Sequence, residues 1–198
     1  MAKSSEASSG RVRIIGGLWK KSVLRFPAAD DLRPTPDRVR ETLFNWLGQD
    51  LRGLDCLDLF AGSGALGFEA GSRGGARVVL VEQDRSAVRA LRDNAVRLSA
   101  SALEVVAGDA NAYLSTTKDR FDVVFLDPPF RQNVLPELLG RLHRVLKSGA
   151  RVYVEAPSPV EATGRQQAWR ELKRGRAGQV SFQLLEWNDD WSGLPGDI

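Results

Sequence analysis

Several chemistries are closed to this chain by what it lacks. A single cysteine, Cys56, stands among 198 residues, so no internal disulfide can form. One histidine, His143, beside that one cysteine leaves no ligand set for a structural zinc, and no metal is expected. Serine–histidine hydrolysis would have to use His143, which falls in a Leu/Arg pattern of helical spacing and reads as a surface or packing residue. No apolar run approaches the roughly 20 residues of a membrane span. The Ser-rich start has no apolar signal core, so residues 1–10 read as a frayed end of a cytoplasmic protein. With 42% hydrophobic residues and five Trp, the chain can bury a core, and its length suits one globular domain rather than two.

Charge is nearly balanced, with 28 Lys and Arg against 25 Asp and Glu, but it is unevenly placed. Residues 1–40 hold nine basic and four acidic side chains, so the positive excess lies in the first fifth. Such an excess suits a phosphate backbone, and equally a solvated surface with no partner. A second basic group, Arg165, Arg170, Lys173, Arg174 and Arg176, stands near Glu161 and Glu171.

From Leu54 onward, strand-like runs alternate with helical patterns. The strands are expected at Leu54–Phe60, Ala76–Gln83, Leu103–Gly108, Phe121–Leu126 and Ala150–Glu155. Helices are expected at Ala65–Arg73, Arg85–Leu98 and Leu135–Lys147, with a short connection at Ala110–Thr116. This alternation predicts an α/β fold whose mostly parallel sheet carries helices on both faces. Near-continuous Val and Leu in the strands fits burial on both sides. Ala168–Lys173 and Gln179–Trp187, flanking Arg174–Gly178, predict an antiparallel hairpin that closes the sheet. At the other end, Arg11–Phe26 reads as a strand pair turning at Gly16-Gly17, and Asp37 as the cap of a helix through Leu47. Residues 11–53 are therefore read as an N-terminal extension on a domain at 54–198.

The sharpest local signal is Asp58-Leu-Phe-Ala-Gly-Ser-Gly-Ala-Leu-Gly67, which leaves the first strand and opens a helix. Gly62, Gly64 and Gly67 satisfy the G-x-G-x-x-G spacing, whose glycines allow a tight turn and close approach of a ligand to the backbone. Glu82 ends the second strand about 20 residues on, where a carboxylate can accept from ribose hydroxyls. Asp58 would repel a pyrophosphate but can accept from an ammonium. That favours S-adenosylmethionine, which has an ammonium, a sulfonium and no phosphate, over NAD. Asp109, after the third strand, suits an acceptor for an adenine amine, or equally a helix N-cap.

The fourth strand runs into Asp127-Pro128-Pro129-Phe130. In open parallel sheets ligands bind beyond the carboxyl ends of the strands, at the reversal of strand order. A strand order of 3-2-1-4-5 would set this segment against the glycine loop. Two prolines stiffen the backbone and remove donors, leaving the Asp127 carboxylate and a carbonyl as acceptors for an NH2 group. Phe130 can stack on the ring that carries the amine. The competing structural reading is a strand-ending turn with Phe130 in the core.

These two motifs, LDLFAGSGALGFEA and VFLDPPF, resemble the class I Rossmann-like methyltransferases that modify exocyclic amines. With RVRIIGG at 11–17, LRPTPDRVRETLFNWL at 32–47 and AGQVSFQL at 177–184, the chain resembles the bacterial 16S ribosomal RNA guanine-N2 methyltransferase family. Pro36 departs from that pattern, where threonine is more usual. The resemblance implies a seven-stranded sheet and methyl transfer from S-adenosylmethionine to N2 of one guanine. Its implied partner is 16S ribosomal RNA in the small subunit or an assembly intermediate, met by a monomer. It implies that Asp58, Ala61, Gly62 and Gly64 line the methionine end of the cofactor. Glu82 and Gln83 would hold the ribose and adenine side, with Asp109 and Ala110 around the adenine. Asp127, Pro128, Pro129 and Phe130 would receive the guanine, and Arg33, Thr35, Arg38 and Glu41 would form the edge between cofactor and RNA. Arg11, Arg13, Lys20, Lys21 and Arg25 would then grip phosphates without reading sequence. Competing readings are an amine methyltransferase for DNA adenine or protein glutamine, and a non-catalytic RNA-binding protein on the same scaffold. An NAD oxidoreductase ranks last, because the chain shows no substrate domain or hydride-relay histidine.

Overall fold

The computed structural model describes residues 9–27, 34–129, 134–160 and 169–187. An antiparallel pair, β1 (Ser9–Arg13) and β2 (Val23–Pro27), precedes helix α1 (Asp37–Leu47). Alternating elements follow: β3 (Asp55–Asp58), α2 (Ala65–Ser72), β4 (Arg77–Glu82), α3 (Arg85–Arg97), β5 (Leu103–Ala107), α4 (Ala110–Thr116), β6 (Phe121–Leu126) and α5 (Leu135–Leu142). The chain closes with β7 (Leu146–Ala156), β8 (Trp169–Ala177) and β9 (Val180–Trp187).

The main sheet has seven strands in the order β5-β4-β3-β6-β7-β9-β8. The first five are parallel, and β9 pairs antiparallel with both β7 and β8. This is the expected doubly wound sheet, with the strand order reversing between β3 and β6. Period-2 alternation assigns each strand residue to one face. Cys56, Val78, Leu80, Val123 and Phe125 join one apolar cluster with α1, α2 and α3. Leu57, Val79, Val81, Val124 and Leu126 join the opposite cluster with α4 and α5. Both faces are thus dry, which is why the strands read as continuous apolar runs.

The hairpin β1–β2 belongs to the first of these cores. Val12, Ile14, Leu24 and Phe26 are buried in it, while Arg11, Arg13 and Arg25 point outward. Asn94 of α3 docks the hairpin edge: its amide oxygen accepts from the Arg25 backbone N–H at 3.2 Å and its amide nitrogen donates to the Arg25 carbonyl at 2.8 Å. The loop between β1 and β2 is tied to α2, where Ser72 accepts from Trp19 and donates to the Gly16 carbonyl.

Three local expectations change. The helix expected over Leu135–Lys147 ends at Leu142, a short 3-10 turn follows at His143–Val145, and Leu146 already pairs with Phe121. Leu142, Val145 and Leu146 are all buried, so apolar spacing alone could not separate the end of a helix from entry into a strand. The closing turn contracts to Gly178-Gln179, because β8 continues through Arg174–Ala177. Pro36, not Asp37, occupies the N-cap of α1, without a side-chain cap. The Asp37 carboxylate accepts instead from Arg40 at 2.6 Å and Arg13 at 3.1 Å.

Candidate active site

Four neighbouring strands end in acids at one edge of the sheet: Asp58 on β3, Glu82 on β4, Asp127 just past β6, and Glu155 near the end of β7. The glycine loop leaves β3 here, beside the strand that leads into Asp127-Pro128-Pro129. Asp58 pairs with Phe125 across β3–β6, and the Leu59 N–H donates to the Phe125 carbonyl. The two motifs therefore open onto one cleft.

Three backbone amides of the glycine loop are committed internally. Gly62 donates to Glu82 Oε2 at 2.8 Å, Gly64 to the Ala61 carbonyl at 2.6 Å, and Gly67 to Asp58 Oδ2 at 2.9 Å. Gly64 caps α2 in the left-handed region at φ 79°, and a Cβ there would lie 2.7 Å from Leu91 and Phe68. This glycine serves the turn and the packing beneath it. Glu82 also accepts from the Asp84 N–H at 2.8 Å, so two amides fix its carboxylate while each oxygen keeps a lone pair for a further donor. A pyrophosphate would meet carboxylates rather than a cradle of open amides. A ligand carrying cationic and hydroxyl donors matches what is present, so the residues fit S-adenosylmethionine. Among the described residues, no three His, Cys, Asp or Glu side chains are arranged to hold a metal ion.

The acids of the cleft lack the cations that buried carboxylates usually pair with. Asp58 is buried, and desolvation pushes its carboxyl up to about 7, opposed by the Gly67 amide and reinforced by Glu82. Asp127 is held well above the usual carboxylate range by desolvation, then by the neighbouring charges of Glu155 and Asp58. Glu155 is also raised by burial, while hydrogen bonds from Tyr153 and Thr35 favour its ionised form. The Tyr153 hydroxyl donates to Glu155 Oε1 at 2.9 Å. The Thr35 side chain stands beside both Asp127 and Glu155 and favours their ionised forms.

Thr35 owes its place to a buried arginine. Arg40, fully buried on α1, donates from Nε to the Thr35 carbonyl at 3.1 Å and from Nη1 to Glu69 Oε2 of α2 at 3.2 Å. It also reaches the Arg13 carbonyl at 2.9 Å. Glu69, fully buried too, takes Arg73 and the Ile15 N–H as further donors. The run Pro34-Thr35-Pro36-Asp37-Arg38-Val39-Arg40 thus forms a brace between the hairpin, α2 and the acid cluster.

The other expected residues are distributed as follows. Ala61 is buried beneath the loop, and its N–H donates to the Val81 carbonyl. Gln83 and Asp109 are exposed, and Asp109 caps α4 by accepting from Ala112 at 2.9 Å. Ala110 is buried at the start of α4. Pro128 is buried and Pro129 exposed. Phe130 and Arg33 lie outside the described residues. Arg11, Arg13, Lys20, Lys21, Arg25 and Arg38 are all exposed, as is Glu41. Arg11 and Arg25 face each other across the hairpin, and with Val23 and Arg97 they line an open depression of about 220 Å³. In the second basic group, Arg170 pairs with Glu186 and Arg174 with Glu171, while Arg165 and Glu161 lie outside the described residues. His143 is exposed.

Sequence reading missed Glu155, Arg40 and Arg97. The signal for Glu155 was present, since its strand ends in an acid as three neighbouring strands do. Arg40 gave none, because an arginine at its spacing normally marks a solvated helix face.

The comparisons agree with this geometry. Ribosomal RNA small subunit methyltransferase D of Escherichia coli K12 is 40% identical over 188 residues, covering 94% of this chain and 95% of that protein. Its Haemophilus influenzae counterpart is 39% identical over 185 residues, covering 90% and 95%. A solved Escherichia coli structure at 40% identity matches 90% of this chain and 99% of that one with a TM-score of 0.79. An RNA methyltransferase from Salinibacter ruber, solved with S-adenosyl-L-homocysteine, shares the class I methyltransferase fold at 22% identity, with a TM-score of 0.58 over 84% of this chain and 99% of that one. Residues 12–186 match the family described as Conserved hypothetical protein 95, and the chain belongs to that family.

Proposed function

We propose that this protein is an S-adenosylmethionine-dependent methyltransferase of small-subunit ribosomal RNA, and that it methylates the exocyclic N2 of one guanine in 16S RNA. The observation that carries this reading is the row of carboxylates without a basic partner among the described residues, Asp58, Glu82 and Asp127, at adjacent strand ends around a glycine loop whose Gly62, Gly64 and Gly67 amides are occupied. Such a cleft favours a cationic cofactor and an amine acceptor. Family membership with the ribosomal RNA methyltransferases supports the substrate class.

The cofactor supplies a methyl group on a sulfonium. Asp58, Ala61, Gly62 and Gly64 border its methionine end, Glu82 and Gln83 its ribose, and Asp109 and Ala110 its adenine. Asp127 and the carbonyls of the proline turn accept the two N–H bonds of the guanine amine, with Pro129 and Phe130 against the ring. Alignment of amine with sulfonium supplies much of the rate, since holding two reactants in line can be worth ~7–11 kcal/mol. The extension at 11–53 presents Arg11, Arg13, Lys20, Lys21, Arg25, Arg33 and Arg38 to phosphates on the domain at 54–198, and Arg97 joins them from α3. The guanine is flipped out of its stack into the cleft, as chemistry on a base atom requires. The enzyme acts in the cytoplasm as a monomer without metal.

Undermethylated small subunits incubated with the protein and labelled S-adenosylmethionine should gain label on N2 of a single guanine, mapped by nucleoside mass spectrometry. Label on adenine N6, or none on competent subunits, would overturn the reading. Asp127→Ala should cut transfer by about 10³-fold or more while leaving cofactor affinity within a few-fold.

A further inference from the structure

Glu155 is a buried acid outside the expected site. It is 6% exposed and has no basic partner among the ion pairs of the described residues. Leu126 of β6 pairs in parallel with Val154 of β7, so Asp127 and Glu155 are the next residues along two hydrogen-bonded strands. The Thr35 side chain stands beside both carboxyls and favours their ionised forms. Like charges at neighbouring strand ends disfavour ionisation of both together, so the two titrate as a pair. The Tyr153 hydroxyl is bonded to Glu155 Oε1 at 2.9 Å, which anchors the negative charge at the inner end of the pair.

We propose that Glu155 is a positioning residue for methyl transfer: its charge, at the neighbouring strand end, makes Asp127 a strong enough base to take the surplus amine proton. This rests on the proposed methyl transfer to an amine. As the N–C bond forms, the C–S bond breaks and sulfur keeps its electron pair. The nitrogen then carries one hydrogen too many, and that proton passes to Asp127. An isolated aspartate is a weak base for this step, whereas one beside a buried like charge operates nearer neutral pH. The other titratable groups facing the pair are Asp58 from β3, with Glu82 of β4 behind it, and Tyr153 on β7 itself. Arg40 reaches the Thr35 carbonyl but spends its charge on Glu69 and Asp37. No sequence motif marks this role, because it depends on the register of two strands that are about thirty residues apart in the chain.

The test is Glu155→Gln, which keeps the shape and still accepts from Tyr153. The acid limb of the kcat/KM profile on undermethylated subunits should move down by about one pH unit or more. The plateau kcat should fall by about tenfold, with cofactor affinity unchanged. Glu155→Asp should restore part of the wild-type profile. An acid limb that superimposes on wild type, in a variant with an unchanged unfolding midpoint, would overturn the proposal and leave a packing role only. Should the wild-type protein fail to methylate guanine N2, the proposed function falls, and carboxyl 13C NMR then decides the coupling by itself. The Asp127 midpoint must drop in Glu155→Gln, and an unmoved midpoint refutes the link.

Discussion

Two groups of carboxylates, buried but for the half-buried Asp127, lie in this molecule, and they are treated in opposite ways. Glu69 is held between Arg40 and Arg73, with the Ile15 N–H as a third donor. Asp58, Asp127 and Glu155 have neutral donors and one another, and among the described residues none of them joins an ion pair with Lys or Arg. The first arrangement compensates desolvation by opposite charge and fixes the N-terminal segment to the cofactor helix. The second leaves desolvation without an opposite charge to offset it, so these carboxyls hold their protons to higher pH than a free carboxyl does. The contrast separates a brace from the candidate site, although both are built from the same residue type on the same fold.

Removing one side of the brace should have the largest effect. Arg40→Met leaves Glu69 buried with one guanidinium fewer and releases the Thr35 carbonyl, and should cost about 3–5 kcal/mol by urea unfolding. Adding Glu69→Leu should recover part of that loss. If Arg40→Met costs less than about 1 kcal/mol, the pair is no brace.

The acid cluster is sharpened by pH. The Asp58 carboxyl stands at about 7 in the folded protein against 3.8 in a free chain. Between those values the folded state keeps a proton that the unfolded state has released. Its contribution is fully present below 3.8 and is lost as pH rises through about 7, so stability should fall over that window. Asp127 and Glu155 slope the same way, being raised as well. Asp58→Asn keeps an acceptor for the Gly67 N–H and should flatten the fall by roughly 1–3 kcal/mol between pH 5 and 8. Urea midpoints at the two pH values check it, and equal slopes in the two proteins would refute it.

The smallest effect is expected at the exposed arm of the brace. Arg13 bonds to Asp37 with its side chain 62% exposed. Arg13→Ala should change stability by less than about 1 kcal/mol. In RNA binding it should lower the slope of log K against log salt by about one, because a phosphate contact is lost. An unchanged slope would remove Arg13 from the RNA face.

Much of this was legible in the chain, and the rest has identifiable physical reasons for being hidden. The loop from Asp58 to Gly67 and the acid at Glu82 stood out because a tight turn restricts residue choice and a carboxylate ending an apolar strand is conspicuous. Val and Leu runs gave the strands because both faces of the sheet are dry. The glycines were read as opening the backbone to a ligand, yet the amides of Gly62, Gly64 and Gly67 bond within the protein. Asp109 satisfies the helix-cap reading in the fold itself, and its adenine role stays with the proposal. Asp37 looked like a cap because its type and position fit one, but two arginines from elsewhere in the fold claimed its carboxylate.

Local rules decided what the sequence alone could determine: the alternation of strand and helix, the two-sided burial of the strands, the glycine turn and the acidic proline turn. Each depends on neighbours within a few residues, whose sterics and spacing act before the chain folds. Tertiary structure alone decided that Arg40 is buried, that its guanidinium holds the Thr35 carbonyl, and that Glu155 stands beside Asp127. Those facts depend on strand order, register and the docking of an N-terminal segment, and on electrostatics that acts through space between residues far apart in the chain.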